Sequence, residues 1–147
     1  MAAADDRPAD SPYEGSAHGT SRPSRRALEQ LDFELEFLGK ILERDPFYAD
    51  ALKVHAHNLA ARGQLTRALQ ADRRLVGLRP DRPIPWYNLA CSYAVLGMNG
   101  PALWALQRAV ELGYRHVRHL LRDPDLKTLR RDPRFAKILR KGLRGDL

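Results

Sequence analysis

The chain is expected to be all-α, a stack of helical hairpins with about six to eight helices, and three observations lead there. First, residues recur at an offset of 34: Ala56, Gly63 and Ala68 are followed by Ala90, Gly97 and Ala102. The same offset carries Leu52 onto Trp86, Leu59 onto Tyr93, Leu69 onto Leu103, Arg74 onto Arg108 and Leu78 onto Leu112. A fixed period of this length marks a repeat architecture in which each unit is one supersecondary element. Second, apolar residues return at three- and four-residue steps, the spacing of an amphipathic helix. Third, no segment alternates apolar and polar residues at period two, so no sheet is predicted.

Residues 1–23 are rich in Ala, Asp, Ser, Pro and Gly and nearly lack large apolar side chains. Such a segment cannot bury enough surface to offset its ordering entropy, and a disordered tail is expected. Residues 24–46 form an amino-terminal capping helix, with Leu28, Leu31, Leu35, Leu38, Ile41 and Leu42 on one face. Ser24 suits its N-cap, and Asp45-Pro46 stops it, because the residue before proline is driven out of the helical region.

Residues 47–114 hold two hairpins. Helices are expected over 48–62, ending at Gly63, and over 65–78, ending before Pro80. The next pair spans 83–96, with proline in the first turn and Gly97 after the last, and 101–112, stopped by Gly113. Ala56 and Ala68, then Ala90 and Ala102, supply small residues where paired helices cross closely.

Residues 115–144 are shorter and denser. A brief helix over 116–122 precedes two copies of one device, Asp123-Pro124 and Asp132-Pro133, in which aspartate caps and proline takes the first helical position. Helices are predicted over 124–131 and 133–141, burying Leu126, Leu129, Phe135, Ile138 and Leu139.

The series Trp86-Tyr87-Asn88-Leu89-Ala90, then Tyr93, Gly97, Ala102, Leu106 and Ala109, resembles the tetratricopeptide (TPR) repeat. The unit before it keeps Ala56, Gly63, Ala68 and Pro80, but has His55 where leucine is usual and Asp72 where an apolar residue is usual. The first helix matches only the second helix of a repeat, ending in Pro46, and Glu34 stands there where the family has alanine. The series Asp123-Pro124-Asp125-Leu126, Leu129-Arg130 and Asp132-Pro133-Arg134-Phe135 resembles a closing element that follows TPR arrays in bacterial proteins. The resemblance implies a right-handed stack of two full hairpins with a cap at each end. It says little about biology, because function lives in sites grafted on folds.

Composition excludes several classes. With 147 residues, 44% of them hydrophobic, the chain can bury a core. A mean hydropathy of -0.50 and the lack of any long apolar run argue against a membrane protein. Neither a secretory h-region nor a second cysteine accompanies Cys91, so a cytoplasmic location is expected. The net charge of +7 is concentrated at one end: 114–144 carries eleven basic residues against three acidic ones. Such asymmetry attracts anionic partners, although a solvated basic face is the plainer reading.

The TPR resemblance implies a concave groove lined by the first helix of each hairpin. Asp50, Lys53, His57, Tyr87, Asn88 and Cys91 fall at groove positions, followed by Arg118 and Arg122 from the next unit. Co-chaperones of this family clamp a partner's terminal carboxylate with a lysine, two asparagines, and a further lysine and arginine. By register Lys53, His57, Asn88, Arg118 and Arg122 occupy those places, with His57 replacing an asparagine and Arg118 a lysine. Cationic donors and an amide make charge-assisted hydrogen bonds to a carboxylate, and Tyr87 would add an apolar wall.

The expected function is therefore a non-catalytic protein-interaction scaffold that takes an acidic or C-terminal segment of another protein. A basic adaptor that holds nucleic-acid backbone through its C-terminal helices is the alternative. Only Tyr114 and Phe135 are aromatic in that basic stretch, so no stacking platform is expected, and such binding would be salt-sensitive. No phosphate loop or nucleophile elbow is present. His116 and His119 lack an evident third ligand, and Cys91 reads as an inert packed thiol. His55 reads as a packed inter-helix residue whose polar nitrogen should find a partner. No catalytic residue, cofactor, metal or membrane partner is expected.

Overall fold

The computed structural model describes residues 22–144, so all but the last two residues of the expected tail lie outside the described part. Among the described residues there are seven α-helices, two short 3-10 turns and no strand. The helices are α1 (Arg25–Arg44), α2 (Ala49–Ala61), α3 (Leu65–Leu78), α4 (Pro83–Val95), α5 (Asn99–Glu111), α6 (Val117–Arg122) and α7 (Pro133–Arg144). The 3-10 turns cover Pro124–Leu126 and Leu129–Arg131. Helix α2 pairs with α3 and α4 with α5, while α1 packs on α2 and α3 on α4. The result is an all-α solenoid of the TPR type.

Local chemistry sets the helix ends. Ser24 Oγ accepts the Ala27 N–H at 3.2 Å, closing the first turn of α1. Each hairpin turn uses one glycine in the left-handed region, with φ of 84° at Gly63 and 76° at Gly97. Gly63 N–H bonds to Ala60 O and Gln64 N–H to Leu59 O, and the second hairpin repeats this with Gly97 to Ala94 and Met98 to Tyr93. This Schellman arrangement satisfies the last carbonyls of each helix, and side-chain-bearing residues adopt such a φ only with strain.

Two apolar clusters make up the core. One joins α1, α2 and α3 through Leu42, Leu52, Ala56, Leu59, Ala68 and Leu75. The larger surrounds α4 and α5, where Ala90 and Ala102 are fully buried at the helix crossing. Leu120, Leu126, Leu129, Phe135 and Ile138 belong to this second cluster. The chain after the second hairpin is thus part of the same hydrophobic core as α4 and α5.

The stretch expected as a helix over 124–131 is instead two 3-10 turns. Asp123 and Asp132 both adopt extended ψ, 118° and 128°, as residues before proline do, so the stretch is bounded by a break at each end. Arg130 then reaches back to the carbonyls of Asp123 at 2.7 Å and Leu120 at 3.1 Å, folding the turns against α6.

The departures from the repeat pattern turn out to be mostly paired. Glu34, where the pattern has a small residue, accepts a hydrogen bond from Asn58 Nδ2 at 2.8 Å. Asp32 pairs with Arg62 at 2.8 Å on the same interface. One period after Asn58, Ser92 donates to buried Asp72 at 2.5 Å. The 34-residue period therefore carries a polar tie from each first helix to the preceding helix. His55 differs: it is buried, its Nδ1 has no hydrogen-bond partner, and burial together with Arg67 lowers its pKa. The partner expected for that nitrogen is not found among the described residues.

Candidate functional site

Helix α4 places Tyr87, Asn88 and Cys91 on the side that the repeat register assigns to the groove. Pro83 in its first turn and the Gly97 turn after it fix its two ends. Over this face lie the start of the first 3-10 turn and the end of α6. Tyr87 stacks on Tyr114 with ring centroids 4.5 Å apart and planes within 4°. Its hydroxyl donates to Asp123 Oδ2, the same oxygen that Cys91 Sγ approaches at 3.8 Å. Asp123 Oδ1 accepts the Asp125 N–H at 2.9 Å, so this carboxylate caps the turn while holding α4. His119 closes the far side, its Nε2 3.3 Å from Asp123 Oδ2.

Both donors to Asp123 are held in their protonated forms. Burial pushes the Cys91 thiol well above its usual range, and the Asp123 and Asp125 carboxylates push it further. Burial is also the main cause that raises the Tyr87 phenol. Cys91, Asp123 and Asp125 bring potential ligand atoms within 4.8 Å of one another. Both Asp123 oxygens already accept hydrogen bonds, so capping and cross-linking account for the cluster.

The expected groove residues separate into three groups. Tyr87 requires a correction: only 2% exposed, it lies beneath the chain's own C-terminal segment and presents no wall to a partner. The reason is Asp123, which offers its phenol a buried acceptor. Lys53 and His57 on α2 and Asn88 on α4 are half-buried. Arg118 and Arg122 lie on α6, where they line a shallow depression of about 600 Å³ with Arg115, His116, Val117 and His119. Lys53, His57 and Asn88 are not part of that lining.

Sequence reasoning passed over Trp104. It is 54% exposed on α5 and forms part of a groove of about 330 Å³ between α5 and α7. A signal was available, because the period pairs Trp104 with Gln70, an exposed polar residue of the preceding unit.

No family model matches the sequence. The chain is similar to a chloroplastic protein of Arabidopsis thaliana, at 32% identity over 82 residues, which is 54% of this chain and 24% of that protein. It is also similar to the Cell division cycle protein 16 homolog of Homo sapiens, at 32% identity over 76 residues, and to that of Mus musculus, at 29%. Each of these two alignments covers 50% of this chain and 12% of the relative. The chain thus spans about a quarter or less of the length of these curated relatives. No helix among the described residues is long and apolar enough to cross a membrane.

Proposed function

We propose that this chain is a non-catalytic protein-interaction scaffold that takes an acidic segment of a partner. The observation that carries this reading is the division of labour on its surface. Tyr87 and Cys91, buried on α4, are turned to Asp123 of the chain's own C-terminal segment, while Arg118 and Arg122 line a broad basic depression. Residues 24–46 act as the amino-terminal cap, 47–114 as the two repeat hairpins and 115–144 as the closing element. Lys53, His57 and Asn88 extend the partner's path from the α6 depression along the concave side. The chemistry offered is donors for carboxylates, with a C-terminal carboxylate as the strongest form of that ligand. No cofactor enters.

An array of immobilised peptides with acidic C-termini, in free-acid and amidated forms, tests the reading. The full chain should bind a subset of the free acids, and Lys53→Glu with Arg122→Glu should weaken them about tenfold or more without shifting the melting temperature. Unchanged binding by the double variant would remove the groove from the site. Preferential capture of unrelated oligonucleotides, lost steeply with salt, would replace this reading with backbone-driven nucleic-acid binding.

A further inference from the structure

The α5–α7 groove lies apart from the α6 depression and shares no lining residue with it. Its apolar part is Trp104 with Leu103 and Ile138, and its rim is Arg134, Lys137, Lys141 and Gln107. No acidic side chain among the described residues lines it.

Trp104 is held in position. Its ring stands edge-on to Trp86, with centroids 5.2 Å apart and planes at 84°. Trp86 is itself fixed, because its indole N–H donates to Pro80 O at 2.8 Å and the Arg108 guanidinium lies 5.6 Å from its ring centre. An exposed tryptophan ordered in this way offers a large apolar contact at little further entropic cost, which is why tryptophan is enriched among binding hot spots.

The charge beside it is unbalanced. Lys137 and Lys141 are one helical turn apart on α7, both exposed, and neither has an ion pair among the described residues. Like charges at this spacing weaken a helix slightly. Arg134 on the same rim is paired with Asp132 at 2.8 Å, so the two lysines are the cations left for an incoming group.

We infer that the α5–α7 groove is a second docking surface, and that its occupant is an acidic segment of another protein carrying one large apolar side chain. The apolar side chain packs on Trp104 between the two helices, and the flanking carboxylates meet Lys137 and Lys141. Charge complementarity selects the acidic flank, and the tryptophan selects the anchor. An oligonucleotide would also answer the lysines, but Trp104 is one aromatic in a short groove, whereas single-strand binders stack successive bases on several.

The probe is a set of short fluorescein-labelled peptides of Asp and Glu, with or without one central Leu, Phe or Trp, titrated onto the full chain. Peptides with the central apolar residue should bind and quench Trp104 emission. Trp104→Ala should weaken them about tenfold or more, and so should the pair Lys137→Glu and Lys141→Glu. Lys137 and Lys141 are exposed, so their variant should melt like the parent. Trp104→Ala gives up the edge contact with Trp86 and should melt a few degrees lower with the parent's helix signal kept. Lys53→Glu with Arg122→Glu should leave this binding intact. Equal binding of purely acidic peptides, or equal binding by the Trp104 variant, would overturn the proposal. Tighter binding of single-stranded oligonucleotides at the same residues would assign the groove to nucleic acid instead.

Discussion

A chain lacking residues 123–147 is expected to lose its cooperative unfolding transition. The deletion removes Leu126, Leu129, Phe135 and Ile138, all buried, from the cluster around α4 and α5. Truncating a single buried leucine or phenylalanine to alanine costs about 2–5 kcal/mol, whereas a whole domain is stable by only about 5–15 kcal/mol. Four such losses, about 8–20 kcal/mol together, are as large as the whole stability available. Tyr87 also loses its acceptor Asp123, and the carbonyl of Leu120 loses Arg130. Two hairpins with only the amino-terminal helix packed against them fall below the three or so units that a repeat stack needs. Circular dichroism during heating should show a broad, shallow melt for the truncated chain. A sharp transition within a few degrees of the parent would show that the hairpins are sufficient alone.

Asp72→Asn is expected to stabilise the protein at pH 8 and to leave it nearly unchanged near pH 4. Asp72 lies in α3, and burial pushes its carboxyl from 3.8 up to about 7, against the opposing hydrogen bond from Ser92. In the unfolded chain the same carboxyl loses its proton near pH 4. Between about pH 4 and 7 the folded state therefore holds a proton that the unfolded state has released, so raising the pH favours unfolding across that window. Above pH 7 both forms are ionised and the contribution levels off. At about 1.4 kcal/mol per unit, the full span is worth roughly 4 kcal/mol. Asparagine is neutral throughout and keeps a hydrogen bond to Ser92, so it removes the slope. Urea unfolding of parent and variant at several pH values should show their difference growing from near zero at pH 4 to about 2–4 kcal/mol at pH 8. A difference independent of pH would mean that Asp72 does not ionise across this range.

The repeat is legible in the sequence because its residues are chosen by backbone geometry. A glycine at positive φ and an alanine at a helix crossing each restrict the residue type allowed, and at a 34-residue interval they announce themselves. Residues whose role depends on a distant partner are harder to read. Glu34 and Asp72 look like defects in the pattern because Asn58 and Ser92 lie 24 and 20 residues away. Tyr87 is expected in an open groove because the register places it there. What the register omits is that Asp123, 36 residues later, returns as its acceptor and brings the C-terminal turns with it. Trp104 is a similar case: its aromatic ring meets the basic residues of α7 only once the chain has folded back over α5. The basic stretch, poor in aromatics of its own, therefore acquires one from another helix.

The most direct test of the covered α4 face is the reactivity of Cys91, the one cysteine in the chain. In an open groove this thiol would face solvent, whereas here it is 9% exposed beneath Asp123 with its pKa raised. Thiol-disulfide reagent added to the native full-length chain should modify Cys91 only at the rate of unfolding, and urea should release the reaction in step with loss of helix. Rapid, stoichiometric labelling in native buffer would contradict the structure described and return Tyr87 and Cys91 to an open groove.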